Sequence, residues 1–231
     1  MERWGVPDRP AQTPRRAPSS SPRRVDYTAS LPSPGFRAAF QALTGRKLRE
    51  LGGRWLQRPL REQQAEAARR ATAEMANRIE RQSGRRPADS TIRRAARTNR
   101  TPRGLDPVVS DRQTKIDAAG GVKTLAQLLG VSQYAVRRWR DLGRPLVPGV
   151  LTVVADVEGV LIVNGEEYPR TMSVTIDIYP PAADDVRIAY ALGDLDSIAE
   201  LLGPEIVEQV DWTGDAEREF TVTEITDITL H

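Results

Sequence analysis

The spacing of apolar positions divides the chain near residue 150. Before that point apolar residues recur every three or four positions, the mark of helices buried on one face. After it they alternate within runs rich in Val, Ile and Thr, the mark of strands. The clearest helical stretch is Gly121-Val-Lys-Thr-Leu-Ala-Gln-Leu-Leu-Gly-Val-Ser-Gln-Tyr-Ala-Val-Arg-Arg-Trp-Arg140. Leu125, Ala126 and Leu129 form the stripe of a short helix, and Gly130 follows where a helix end favours positive φ. Ser132 is placed to N-cap a second helix running through Trp139. Val136 and Trp139 lie three apart and face inward onto Ala126, whose small side chain lets two helices cross closely. This is the pattern of a helix-turn-helix.

Other helices can be read on both sides of it. Phe36, Phe40, Leu43 and Leu48 predict a short helix ended by Gly52-Gly53, and Pro59 opens a long helix reaching residue 82. Met75, Ala76 and Ile79 match Leu125, Ala126 and Leu129, while Asp89-Ser-Thr-Ile-Arg-Arg-Ala-Ala-Arg97 matches the stretch from Gln133, with Ile92 at the place of Val136. A second helix-turn-helix with a longer turn fits this repeat. So does a plain helical hairpin with a solvated arginine face. Ser110 is expected to cap a helix over 111–119, and Pro145, Pro148 and Gly149 close the helical part.

Downstream, strands are expected over 150–157, 159–163 and 172–179, with hairpin turns at Glu158-Gly159 and Asn164-Gly165. A helical stretch over 186–210, broken near Gly203-Pro204, precedes a last strand over 220–230. The expected fold class is therefore α + α+β. It comprises a disordered Arg/Pro/Ser arm over 1–34, a helical region over 35–107 with a possible first helix-turn-helix, a helix-turn-helix domain over 108–149, and a small β-β-β-α-β domain over 150–231.

Charge sharpens this division. The formal net charge is +3, but residues 1–150 hold 31 of the 34 Lys and Arg against 13 of the 31 Asp and Glu, leaving +18. Residues 151–231 hold the other 3 and 18, leaving −15. A basic half beside an acidic one points to a nucleic-acid-binding region joined to a domain that DNA repels. On the second helix of the clear motif, Ser132, Gln133, Tyr134, Arg137, Arg138 and Arg140 are the expected outward residues, with Gln suited to adenine edges and Arg to guanine or phosphate. In the weaker motif Arg85, Arg86, Arg93, Arg94 and Arg97 are expected to bind phosphates.

Composition removes several kinds of chemistry. There is no cysteine, and the single histidine is His231, so thiol nucleophiles, histidine bases and zinc sites of the usual kind are not expected. Neither a phosphate-binding GxxxxGK[ST] loop nor a Ser–His pair is present, and an enzyme in the usual sense is not expected. Asp184, Asp185, Asp194 and Asp196 offer oxygen ligands for a divalent cation, but a solvated acidic loop at a helix start is the simpler and favoured reading. No metal site or resident cofactor is expected. With no apolar run of about 20 residues and no secretory signal, the expected location is the cytoplasm, at the nucleoid.

The run Lys123-Thr-Leu-Ala-Gln-Leu-Leu-Gly-Val-Ser-Gln-Tyr-Ala-Val-Arg-Arg-Trp139, with the closing Phe220-Thr-Val-Thr-Glu-Ile-Thr-Asp-Ile-Thr-Leu230, resembles the telomere-protecting terminal proteins of linear bacterial replicons. The resemblance spans roughly residues 115–230. It implies binding of double-stranded DNA at replicon ends. It also implies covalent linkage of a side-chain hydroxyl to the DNA 5′ end, where it primes synthesis by a separate DNA polymerase, with Mg²⁺ needed only during priming. A polymerase and a telomere-associated protein are the partners so implied. The segment in which the family's priming threonine is expected reads Tyr179-Pro-Pro-Ala-Ala-Asp-Asp-Val-Arg187 and has no Ser or Thr. Tyr179 is its only hydroxyl; Thr171, Ser173 and Thr175 lie just upstream as alternatives. A different class of function also fits the residues. It is a transcription or plasmid-replication regulator whose acidic domain forms a homodimer or binds a partner.

Overall fold

The computed structural model describes residues 31–212 and 216–231. The arm expected over 1–34 thus lies outside the described residues up to residue 30. Leu31, by contrast, is packed between two cores. The described elements are α1 (Phe36–Arg49), α2 (Leu60–Ser83), α3 (Asp89–Thr98), α4 (Pro107–Ala118), α5 (Val122–Leu128), α6 (Gln133–Leu142), β1 (Leu151–Val163), β2 (Glu166–Ile178), α7 (Ala182–Leu192), α8 (Leu195–Gln209) and β3 (Arg218–Leu230), with a 3₁₀ turn at Gly53–Gln57. The expected class, helices followed by an α+β unit, is the one observed.

Three apolar cores organise the described residues. The first joins α1, α2 and α3 through Phe36, Leu43, Met75, Ile79 and Ile92. The second belongs to α4, α5 and α6 and is built on Ile116, Leu125, Val136 and Trp139, but it also takes in Ile188 and Leu192 of α7. The third lies between the sheet and the inner faces of α7 and α8. Because α7 contributes to two cores, the helix-turn-helix is seated on the α+β unit and does not hang from a linker. A polar hub ties the first two helical groups together. Asp117 of α4, 1% exposed in its side chain, accepts hydrogen bonds from Arg46 of α1 at 3.1 Å and from Arg78 of α2 at 2.6 and 3.1 Å. Gln113 adds a fourth at 3.0 Å. A buried carboxylate persists only when its charge and lone pairs are met in this way.

The sheet is antiparallel, in the order β2-β1-β3. Its one hairpin turns at Asn164-Gly165, both at positive φ (51° and 86°), as a two-residue turn with the twist of its strands requires. The turn expected at Glu158-Gly159 does not form. Gly159 lies inside β1, where a Cβ would stand 2.5 Å from the Thr221 carbonyl oxygen and 2.6 Å from the Phe220 ring. That glycine marks close packing at a bulge. The register against β3 shifts on either side of the Val157–Glu158 pair, and the hydroxyls of Thr223 and Thr226 donate to the carbonyls of Glu158 and Asp156 at 3.1 and 3.2 Å. These bonds occupy acceptors where the ladder is disrupted. The expected strands 150–157 and 159–163 are therefore one strand, and the order is β-β-α-α-β.

Two helix boundaries also differ from expectation. The break in the C-terminal helical stretch falls at Gly193, in the left-handed region, with Asp194 capping α8 through the Ser197 N–H at 3.1 Å. Gly203-Pro204 lies within α8. The missing side chain at Gly203 lets that helix press against the Phe220 carbonyl of the edge strand. The helix expected from residue 111 begins at Pro107, because Asp106 accepts the N–H groups of Val108 and Val109 and proline suits the first helical position. Ser110 is internal to it.

Candidate nucleic-acid interface

The α5–α6 turn has the geometry that its residues require. Gly130 adopts φ 65°, and the Val131 N–H returns to the Ala126 carbonyl at 3.0 Å, closing the end of α5. Val131 turns toward the core, and the Ser132 hydroxyl oxygen accepts the Ala135 N–H at 3.1 Å. Val136 and Trp139 are buried, as are Leu125 and Ala126. With one side of α6 so occupied, the other faces solvent.

Gln133, Tyr134 and Arg137 are exposed there, with Ser132 beside them at the helix start. Arg138 is half-buried, its guanidinium 5.6 Å from the centre of the Tyr134 ring. This stacking holds both side chains on the same face, one turn apart. Arg137 makes no ion pair among the described residues. Arg140 departs from expectation. It forms a two-bonded pair with Asp141 at 2.6 and 2.8 Å and donates to Gln113 of α4 at 3.0 Å, so it braces α6 against α4. Lys123, Gln127 and Arg144 are also exposed around the motif. The same 3.6-residue period that buries Leu125 and Ala126 exposes Lys123 and Gln127.

In the weaker motif, the matched residues Met75, Ala76, Ile79 and Ile92 all lie in one core. Arg85, Arg93, Arg94 and Arg97 are exposed and carry no carboxylate partner among the described residues, whereas Arg86 pairs with Glu80 at 3.2 Å and with Asn77. The charge on this surface is thus concentrated on α3.

The helix-turn-helix is fixed to the α+β unit by polar contacts as well as by α7. Lys115 of α4 reaches Asp185 at 2.7 Å. Asp184, buried, accepts the Leu146 N–H at 3.0 Å and holds the segment between α6 and β1. Burial pushes the Asp184 carboxyl above the usual carboxylate range, against the opposing pull of that N–H and of Arg187. Asp194 caps α8 and also accepts the Leu31 N–H. Three of the four carboxylates considered for a cation are therefore engaged inside the protein. Among the described residues no group of three or more His, Cys, Asp or Glu is placed to hold a metal ion.

The hydroxyl candidates divide sharply. Tyr179 is 65% exposed at the end of β2, and its hydroxyl has no hydrogen-bond partner among the described residues. Arg187, the nearest cation in sequence, lies within 4.0 Å of Asp184 and its side chain is only 11% exposed. Thr171, Ser173 and Thr175 are exposed on β2, on the sheet face away from the helices, where Ser173 donates to Asp156. Among the described residues no helix is long and apolar enough to cross a membrane. Comparison with protein-family models, curated proteins and solved structures finds no match to this chain.

Proposed function

We propose that the chain binds double-stranded DNA by laying α6 in the major groove, acting at the nucleoid. The observation that carries this reading is the division of α6. Val136 and Trp139 lock one side to the core, while Ser132, Gln133, Tyr134, Arg137 and Arg138 stand on the other. That is the arrangement by which a recognition helix offers base-reading and phosphate-binding groups together. Gln133 suits an adenine edge, Arg137 a guanine edge, and the unpaired arginines of α3 phosphates further along the duplex. Gln133→Ala and Arg137→Ala are each expected to cost about 1–3 kcal/mol on the preferred duplex and little on random DNA. Arg140→Ala should leave sequence preference intact, because that side chain is bonded to Asp141 and Gln113. Competition gel shifts against selected and random duplexes measure this; unchanged preference in Gln133→Ala and Arg137→Ala would refute it.

A further reading, that of a protein-primed terminal protein, is favoured by one observation: the exposed hydroxyl of Tyr179 lies on a unit that shares an apolar core with the helix-turn-helix. In it the Tyr179 oxygen attacks the α-phosphate of a deoxynucleotide, pyrophosphate leaves, and a polymerase supplies Mg²⁺ and the chemistry. The proton passes to solvent. Labelled deoxynucleotide incubated with the chain, polymerase and end-bearing DNA should leave label on the protein after denaturation, and Tyr179→Phe should abolish it. Label lost only in Thr171→Ala, Ser173→Ala or Thr175→Ala moves the site upstream. No label under any condition leaves a regulator of transcription or replication.

A further inference from the structure

An open groove of about 840 Å³ runs between α1, α2 and α3. Its floor is apolar and shallow in relief: Phe40 from α1, Ala65 and Ala68 from α2, Ala96 from α3. Small side chains on a floor of this kind let another backbone approach closely. Its rim is cationic. Arg37 and Arg69 stand on α1 and α2, and Arg93 and Arg97 lie one turn apart on α3. Two of these are already used. Arg37 donates to the carbonyls of Ala96 and Arg97 at the end of α3, and Arg69 shares Glu66 with Arg70. Arg93 and Arg97 have no carboxylate partner among the described residues, and both are exposed.

We infer that this groove docks a short acidic amphipathic helix of a partner protein. The groove is lined by α2 over residues 65–72, about 10 Å at 1.5 Å per residue, which seats about two turns of a helix. Two or three apolar side chains at helical spacing meet Phe40 and the alanines, and flanking carboxylates meet Arg93 and Arg97. Charge decides the occupant. Duplex DNA satisfies the arginines but leaves the apolar floor wet, whereas a neutral amphipathic helix covers the floor and leaves the arginines unpaired. An acidic amphipathic helix does both. The inference rests on the DNA-binding reading in one respect only. Arg93 and Arg97 are shared with phosphates, so the partner and DNA compete, and the acidic helix acts as a release signal.

The probe is a synthetic peptide of about 14 residues with Leu at i, i+3, i+4 and i+7 and Glu at its flanks, only marginally helical alone in water, so that helix formation accompanies binding. A second peptide has the same composition in scrambled order. Fluorescence anisotropy with the full chain should give binding at least about tenfold tighter for the ordered peptide than for the scrambled one. Ala68→Leu, which fills the floor without changing charge, and Ala65→Leu, on an exposed position that carries no folding risk, should each lower that affinity severalfold. Arg93→Ala and Arg97→Ala should do the same, and duplex DNA should displace the peptide. Equal binding of the scrambled peptide would reduce the effect to bulk charge and overturn the proposal. Indifference to both alanine substitutions would overturn it too, as would self-association of the chain that these substitutions abolish, since a second copy is then the occupant. Ala65→Leu and Ala68→Leu should leave duplex binding intact, and Gln133→Ala should leave peptide binding intact. Failure here is therefore distinguishable from failure of the DNA-binding reading.

Discussion

Removal of the Asp117 carboxylate should be among the most damaging single changes outside the apolar cores. Its side chain is 1% exposed and accepts four hydrogen bonds, from Arg46, twice from Arg78, and from Gln113. Asp117→Ala leaves the Arg78 guanidinium, itself only 13% exposed, beside a void with Glu74 at 3.3 Å as its remaining counter-charge. Breaking one side of a buried pair typically costs about 3–5 kcal/mol, because the surviving charge stays desolvated and unpaired. A chain of this size loses about 2–4 °C of melting temperature per kcal/mol, so the midpoint should fall by roughly 6–20 °C. Asp117→Asn, which keeps one acceptor but not the charge, should fall between wild type and alanine. The double variant Asp117→Leu with Arg78→Met should recover a large part of the loss, since it replaces the pair by apolar groups of similar bulk. Circular dichroism melts at fixed protein concentration measure all three. A loss below about 1 kcal/mol in Asp117→Ala would show that solvent reaches the hub and that the pair is worth no more than a surface one.

Two other expectations concern pH and close packing. Burial raises the Asp184 carboxyl, so the folded state holds this proton more tightly than the unfolded chain does, and stability from this group falls as pH rises through its folded pKa. Asp184→Asn keeps an acceptor for the Leu146 N–H and removes that dependence, so its stability relative to wild type should grow from pH 4 to pH 7 in urea titrations; a constant difference would show that Asp184 is not desolvated. The clamped carboxylates behave in the opposite sense. Glu66, held by Arg69 and Arg70 and pushed down to about 2, contributes stability that is present above the ordinary carboxylate range and lost as pH falls toward that value. Gly159→Ala places a Cβ 2.5 Å from the Thr221 carbonyl oxygen and should destabilise by about 1–3 kcal/mol, seen as a lower urea midpoint, whereas an unaffected midpoint would mean that β3 can shift outward at no cost.

The helix-turn-helix was legible because its signals are local. The stripe of Leu125 and Ala126, the glycine at Gly130, the Ser132 cap and the Val136–Trp139 pair each act within four residues of themselves, and each formed as its chemistry directs. The Asn164-Gly165 hairpin belongs to the same class. Gly159 and Gly203 misled for the opposite reason. A glycine reads as a turn or a break when only its neighbours in sequence are considered, but these two are small so that Thr221 and Phe220, brought alongside by the fold, can approach. Arg140 and Arg86 have the pattern of surface cations in the sequence, but the fold pairs them with Asp141 and Gln113, and with Glu80 and Asn77. Composition separated a basic helical half from an acidic α+β half, since burial and charge need only a count and a period. That α7 belongs to both cores, that Asp117 joins three helices, and that arginines rim an apolar groove are matters of residues far apart in the chain. Only tertiary structure decides them, because the free energy of such contacts depends on distances that local periodicity does not encode.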